Sequence, residues 1–368
     1  MRRLLSCIVS GSFALPLVVL AAQTLSAKTV VVGDCQPQLV SYSTISAAVA
    51  AVPPNSTVLV CPGTYPEQVT ISQPMTLKGL KTGIGSKPVI TVPSGGLVGN
   101  NPAQLSAQQP DPIEEFEEFG PVNISNLIVD GTGSGFDCST GELTGIEYVL
   151  ASGTLENVEV RNQNPGGCGY GIQLFGSDLD VLTVNVRNSR VHNFDNTGIN
   201  VEDGGGSNFE VTLSSNWVAS TSGSVQAGVA YVLSQGLITR NLIVVGGQYG
   251  LSLFNFFCCM TVTENTVTGS NIGINLGAND LSETSTVTNN ILYKNGKGIF
   301  TLGGTHIIES NAIAQSSIAA IDLNCSSRNT AEDNVIFGAP VGIANATSGD
   351  TVAPNTFFGV LTSTTACP

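Results

Sequence analysis

The chain has 368 residues, with 13 Lys and Arg against 27 Asp and Glu, a formal net charge of −14, 42 glycines and nine cysteines. This acidic balance excludes nucleic acid and anionic membrane surfaces as electrostatic partners and weighs against a free polyanionic glycan. Few charges and many glycines suit a fold with an extensive interior and many tight turns.

In chain order, Arg2 and Arg3 precede an apolar run from Leu4 to Ala22, broken by Gly11 and Pro16, with small residues at Ser26 and Ala27. That is the pattern of an export signal cleaved near Ala27. The run is also close to the length of a bilayer span, but the small residues after it favour removal, and nothing downstream resembles a second apolar span. Residues 1–27 are read as a signal peptide and 28–368 as one secreted domain, extracellular or periplasmic. Its loss leaves 11 basic residues against 27 acidic ones, a net charge of −16, and eight cysteines. An even count in an oxidising compartment suggests disulfides. Cys35 and Cys61 bracket the N-terminal segment, and Cys138 and Cys168 lie in loops of neighbouring repeats, so these are the expected pairs. Connectivity for Cys258, Cys259, Cys325 and Cys367 stays open. With no CxxC and only His192 and His306 available, no metal site through sulfur is expected.

A strand is predicted at Thr29 to Val32. A short helix is predicted over Ser43 to Val52, with Ser43 as N-cap and Ile45, Ala48, Val49 and Val52 on one face, ended by Pro53 and Pro54. Strands follow at Val58 to Val60, Gln68 to Ile71, Met75 to Leu77 and Val89 to Val92, separated by turn residues. The helix is placed to cover the open end of a solenoid, whose bare strand edges would invite association. Residues 28–92 form this cap and the first coils, and 93–121 an inserted loop. That loop carries the acidic run Glu114, Glu115, Glu117 and Glu118, read as a solvated short helix with Phe116 and Phe119 packed down. The run lacks the spaced Asp, Asn and Gly ligands of a calcium loop, so calcium is unsupported and no cofactor is called for.

From residue 122 to 358 a short phrase recurs: Asn or Ser, a few mostly apolar residues, a loop, then Gly followed by alternating apolar and polar positions. Anchors fall at Asn126, Asn157, Ser189, Asn216, Asn241, Asn265, Asn290, Asn311, Asn334 and Asn355. Such a period means one supersecondary unit per repeat, stacked because none can bury its apolar face alone. Alternation as in Ile172 and Leu174, or Ile274 and Leu276, is strand periodicity. The fold class is all-β: a parallel β-helix of about twelve coils, with 359–368 as a C-terminal tail. A leucine-rich horseshoe lacks its Leu pattern and helices here, and an antiparallel sandwich gives no reason for the self-similarity.

Three stretches carry a resemblance: Ser43-Thr44-Ile45-Ser46-Ala47-Ala48-Val49-Ala50-Ala51-Val52-Pro53-Pro54; Pro62-Gly63-Thr64-Tyr65-Pro66-Glu67; and Met75-Thr76-Leu77-Lys78-Gly79. Together with the repeats, which extend it over about residues 29 to 358, they resemble right-handed parallel β-helix proteins of the pectin-lyase-like superfamily. The resemblance implies the fold; function varies too widely within the superfamily to follow from it. Gly63, Tyr65 and Glu67 match the G-x-Y-x-E of pectin methylesterases, but the later segments of those enzymes have no counterpart, nor do polygalacturonase or pectate lyase signatures. Turn geometry and cap packing are the simpler role for these residues.

If the residue after each repeat Gly points inward, the next faces solvent, and stacking makes a row: Glu147, Gln173, Asn200, Ala230, Ser252, Asn275, Phe300, Asp322 and Ala344. Its early, polar half, joined by Glu202 and Asp203, suits the hydroxyls of an extended sugar chain, and Glu147 with Glu202 is a candidate acid and base pair. Plain solvent exposure explains polar residues there equally well. Arg161, Arg187, Arg190 and His192, with Asp178 and Asp180 nearby in sequence, are the sharpest enzymatic candidate, though surface ion pairs account for them too. His306 is read as structural, at a turn before a strand. The expectation is therefore an exported β-helix that binds a polysaccharide along a polar groove at Glu147, Gln173, Asn200, Glu202, Asp203 and Arg187. The alternative is a polysaccharide lyase, glycoside hydrolase or epimerase.

Overall fold

The computed structural model describes residues 26–368 except 82–85, 109–119, 177–180, 205–208, 256–259, 279–283 and 327. The expected signal peptide, apart from Ser26 and Ala27, and the acidic run, Phe116, Phe119, Asp178, Asp180, Cys258 and Cys259 thus lie outside the described residues. Three parallel sheets of 13, 12 and 12 strands run the length of the molecule. Each coil contributes a strand to the first, second and third sheet in turn, as Gly153–Glu156, Glu159–Arg161 and Gly169–Phe175 do. Two strands of the first sheet, Thr29–Val32 and Val40–Tyr42, precede the first coil, and the last coil adds strands, Thr356–Phe358 and Thr362–Ala366, to the second and third sheets only.

Alternation sets which side chains enter the bore, and the register stacks like on like. In the third sheet Ile146, Ile172, Ile199, Val229, Leu251, Ile274, Ile299, Ile321 and Ile343 are successive partners, all fully buried. Each such side chain contributes about 1.5–3 kcal/mol of hydrophobic stabilisation, and one coil alone would leave it half exposed.

The cap helix spans Ile45–Ala51 and buries Ile45, Ala48 and Val49. Its N-cap is Thr44 rather than Ser43, accepting from the Ala47 amide at 3.2 Å. The apolar phase is as expected; the start shifts by one because two adjacent hydroxyl residues offer the same cap. The free amides of Ile45 and Ser46 donate to the Glu67 carboxylate at 2.7 and 2.9 Å, and the Tyr65 hydroxyl donates to the Cys61 carbonyl at 2.8 Å. The Gly63-Thr64-Tyr65-Pro66-Glu67 segment thus holds the cap in place. Cys35 with Cys61, Cys138 with Cys168, and Cys325 with Cys367 form disulfides.

Three boundaries differ from expectation. The 93–121 stretch contains the strand Ala103–Gln108, paired in the third sheet with Leu143–Val149. Its Ala, Gln and Ser composition hides the strand. The tail contains Thr362–Ala366, the last strand of the same sheet, closed by the Cys325–Cys367 bond. Finally, the Asn anchors occupy two structural positions. Asn126, Asn157 and Asn188 adopt left-handed backbone (φ 59, 52 and 51°), as do Ser215, Arg240, Glu264 and Asn289 in later coils. The residue after each turns inward: Leu127, Val158 and Ser189 early, then Asn216, Asn241, Asn265 and Asn290, all buried. Asn favours both a left-handed turn and a buried amide ladder, so sequence alone cannot separate the two.

From Asn216 to Asn355 the buried amides form that ladder. Asn241 Oδ1 accepts from the Asn216 backbone N–H (2.9 Å) and Nδ2 (3.0 Å), and Asn265 Oδ1 does the same for Asn241. The chain of bonds continues through Asn290, Asn311, Asn334 and Asn355. Asn265→Ala should cost about 3 kcal/mol in denaturant unfolding, because it strands a buried donor and acceptor. Glu264→Gly, at the adjacent exposed left-handed position, should be neutral or stabilising by up to about 1 kcal/mol. Equal losses in both variants would show that the ladder does not act as described.

His306 lies within Thr305–Glu309, 1% exposed, not in a turn. Burial, only partly offset by its Nε2 contact with the Gly303 carbonyl (3.0 Å), pushes its pKa from 6.5 down to about 4. The unfolded imidazole protonates near its ordinary value while the folded one resists, so stability is full above pH 6.5 and falls as pH drops toward 4. The loss should reach on the order of 3 kcal/mol. His306→Leu should flatten that part of the stability profile measured by urea unfolding; an unchanged slope would exclude His306 as its source.

Candidate functional site

The third sheet presents the face on which the sequence row lies. Its geometry starts from glycine. A Cβ on Gly171 would sit 2.2 Å from Val191 and 2.5 Å from the Gly198 carbonyl of the next coil, and one on Gly198 2.5 Å from the Gly228 carbonyl. No side chain fits at these contacts between coils. The following residue enters the bore and the one after it lies on the outer side of the sheet, where neighbouring side chains still cover Gln173, Asp322 and Ser106 (3, 5 and 6% exposed).

Glu147, Gln173, Asn200, Ala230, Ser252, Asn275, Phe300, Asp322 and Ala344 are consecutive register partners, as the sequence row has them, and Ser106 extends the row by a coil. Glu202 is exposed two residues beyond Asn200. Two candidates fall elsewhere. Asp203 is 2% exposed rather than solvent-facing, its amide donating to the Val232 carbonyl at 3.1 Å. The strand has ended there, so outward alternation no longer applies. Arg187 belongs to the first sheet, where it pairs with Glu156 at 3.1 Å, and does not join the row.

The structure adds residues that the row omitted. Gln173 Nε2 and the Tyr170 hydroxyl each donate to a different Glu142 carboxylate oxygen at 3.2 Å, and the Thr144 hydroxyl donates to Gln173 Oε1. Tyr170 and Thr144 precede the repeat glycines; two inward residues then separate them from Gln173 and Glu147, so strict alternation assigns them to the wrong face. Glu142 comes from the loop before Leu143–Val149, where no periodicity operates. Burial, reinforced by the Glu142 charge, raises the Glu147 carboxyl above its usual range. Burial and the charges of Glu142 and Glu202 push the Tyr170 phenol well up. The group combines a carboxyl biased toward its protonated form, a phenol that stays protonated, an amide and a charged carboxylate. It can donate and accept hydrogen bonds to hydroxyls, and the raised Glu147 carboxyl is biased toward the form a general acid needs.

At the far end of the row, Lys297 pairs with Asp322 at 2.6 Å and lies 4.3 Å from the Phe300 ring centroid, while Asn345 Nδ2 donates to Asp322 at 2.8 Å. These groups satisfy one another.

Arg161 and His192 lie on the second sheet. Arg161 pairs with Asp130 at 2.8 Å and Glu159 at 2.9 Å, and His192 contacts Glu159 at 3.3 Å and stacks on Trp217 at 5.4 Å. Burial alone would raise the Asp130 carboxyl, but hydrogen bonds from Thr132, Asn162 and Arg161 outweigh it and bring it down to about 2. This is a mutually satisfied ion-pair network. Arg190, on the same strand as His192, stands apart from it. Among the described residues no group of three His, Cys, Asp or Glu side chains is placed to hold a metal ion.

Residues 221–357 match the family model for a right handed beta helix region. No curated protein sequence matches the chain. Among solved structures, the A-module of mannuronan C-5 epimerase AlgE4 from Azotobacter vinelandii is similar at 17% identity and a TM-score of 0.58, covering 88% of this chain and 91% of that one. A family 28 exopolygalacturonase of Yersinia enterocolitica is similar at 12% identity and a TM-score of 0.57, covering 91% and 76%. PfbA, a surface adhesin of Streptococcus pneumoniae, is similar at 16% identity and a TM-score of 0.55, covering 86% and 85%. With the family match and the three stacked parallel sheets, these likenesses settle the architecture: the chain folds as a right-handed parallel β-helix.

Proposed function

We propose that the protein is exported and binds an extended, neutral polysaccharide along the third-sheet face from Ser106 to Asn275. The observation that carries this reading is the in-register run of Ser106, Glu147, Gln173 and Asn200, backed by Glu142 and Tyr170. Coils repeat at the strand spacing of about 4.8 Å, close to the length of one pyranose unit, so each coil of the span except that of Ala230 places one polar side chain per sugar. The third-sheet strands from Ala103–Gln108 to Ile272–Ala278 contain no Lys or Arg. Carboxylates without cations suit hydroxyls and repel uronates or sulfates. Three disulfides support an oxidising compartment, and the two enzymes sharing the fold are named for work on polysaccharides.

A second reading is favoured by one specific feature, the raised Glu147 carboxyl beside Glu142 and Tyr170: turnover of the bound glycan by a lyase, hydrolase or epimerase reaction. Incubation with neutral and acidic polysaccharides, with and without calcium, separates the two readings. New reducing ends, unsaturated products or epimerised units that vanish in Glu147→Gln would establish turnover.

For binding itself, Asn200→Ala should weaken affinity for a neutral hexasaccharide roughly tenfold, by removing a hydrogen-bonding amide, with an unchanged melting temperature. Arg187→Ala, on another sheet, should leave affinity as it is. Calorimetry on the full-length protein checks both. Absence of binding to any neutral saccharide, or equal affinity in Asn200→Ala, would overturn the assignment.

A further inference from the structure

A second cleft lies at the turn between the first and second sheets, the vertex of the coil that the third sheet does not contribute to. It encloses about 470 Å³ and is lined by Lys81, Lys87, Asn157, Glu159, Asn188 and Arg190 along with Ile128 and Val158. It spans four successive coils, because the turn residues Asn157 and Asn188 and the strands after them stack in register.

Its charge is unlike that of the rest of the molecule. The sequence carries 13 basic residues against 27 acidic ones, yet three cations meet here around a single carboxylate. That carboxylate, Glu159, is already engaged by Arg161 at 2.9 Å and His192 at 3.3 Å. Among the described residues no carboxylate lies within ion-pair distance of Lys81, Lys87 or Arg190, and residues 82–86, between the two lysines, contain no acid. Lys87 is half-buried and fixed, its Nζ donating to the Asn157 carbonyl at 2.6 Å and to Asn157 Oδ1 at 3.0 Å. Burial, then the neighbouring charges of Lys81 and Arg190, lower its pKa, with Glu159 opposing. Like charges held together at a partly desolvated site cost stability unless an anion joins them. A guanidinium, two ammonium groups and turn amides are the donor set that recognises oxoanions.

We propose that this cleft binds an anionic saccharide through a carboxylate or sulfate group carried on the sugar. A bare oxoanion would leave most of the volume empty, whereas the exposed amide of Asn188 is suited to ring hydroxyls. The site is separate from the third-sheet face and does not depend on how that face is used. The two surfaces have opposite charge preference, so the molecule can hold a neutral chain on one side and an acidic one at the opposite vertex.

Trp217, the protein's one tryptophan, is the register partner of Arg190 and serves as an intrinsic probe. Full-length protein is titrated with a short oligouronate, its carboxyl-reduced neutral counterpart and inorganic sulfate, followed by Trp fluorescence and calorimetry. The oligouronate should bind saturably and more weakly as salt rises, the reduced oligomer should not bind at this site, and Arg190→Gln and Lys81→Gln should each lower affinity roughly tenfold. Asn200→Ala should have no effect, which keeps this result distinct from that of the third-sheet face. Absence of binding, equal binding of the reduced oligomer, or unchanged affinity in both variants would overturn the proposal. Saturation by sulfate with no response to the oligouronate would overturn the saccharide assignment.

Discussion

Everything in this molecule depends on hydrogen bonds made between coils. A strand of three or four residues has no stability of its own, and each coil buries its apolar side chains only because the coil above and the coil below cover them. Backbone pairing sets the 4.8 Å spacing approximately, and the Asn ladder from Asn216 to Asn355 fixes the phase. At the turn between the first and second sheets the N–H of the ladder residue donates to the Oδ1 of the next coil's Asn, and the Asn Nδ2 serves turn carbonyls, so the side-chain amide supplies a donor and an acceptor in one residue. Early coils manage without it. Leu127 and Val158 fill the position with apolar groups, while the Asn126 and Asn157 amides bond outside the bore at 2.6 Å. The same turn thus has two solutions, one wet and one dry, and the change between them occurs around Ser189.

That constraint explains what could be read without coordinates. The solenoid, the cap and the outward row from Glu147 to Ala344 are legible because each follows from local periodicity multiplied by stacking. Once Gln173 and Asn200 occupy the same place in their repeats, the register must align them. Glu142 is not legible, because it sits in a loop where no repeat constrains it; Tyr170 and Thr144 are missed because a pair of inward residues breaks the alternation that would bring them to the row. Asp203 is read as an outward or turn position beyond Asn200 and is buried because the strand ends before it, while Arg187 is read from its nearness in sequence, which does not place a side chain on a particular sheet. The strand Ala103–Gln108 and the closing strand Thr362–Ala366 escaped notice because small and polar side chains hide strand pairing that is carried by the backbone.

The division between scaffold and surface also determines how charge is distributed. Inward positions admit almost no ionisable groups, and His306 shows the consequence of admitting one: its charge is suppressed. All ionisable groups must therefore be sorted among three outward faces and their vertices. On the second sheet Asp130, Glu159, Arg161 and His192 neutralise one another, whereas nearby Arg190 and Lys87 have no ion-pair partner among the described residues. On the third sheet the imbalance has the opposite sign. Local imbalances of this kind raise the energy of a folded chain and are relieved by a bound ligand of complementary charge or, for carboxyl groups, by retaining a proton.

Burial and the Glu142 charge bias Glu147 toward the second route, and the loops around it show why its environment persists. Glu142 would swing away from Tyr170 if its loop were free, and the Glu147 carboxyl would then lose one of the two influences that raise it. The Cys138–Cys168 bond ties the Glu142 loop to the coil that carries Tyr170 and Gln173. Asp195, from the next coil, accepts the amides of Gly166, Gly167 and Gly169 at 2.6, 2.8 and 2.7 Å, anchoring the segment that leads into the same strand. Three consecutive coils are thereby cross-linked at the edge of the third-sheet face. Regular stacking needs none of these contacts, since later coils of the same sheet pair without them. Their effect is to hold one carboxylate against a phenol and an amide and beside a second carboxyl group, so that the least regular part of the solenoid is also the most tightly fixed part of its polar face.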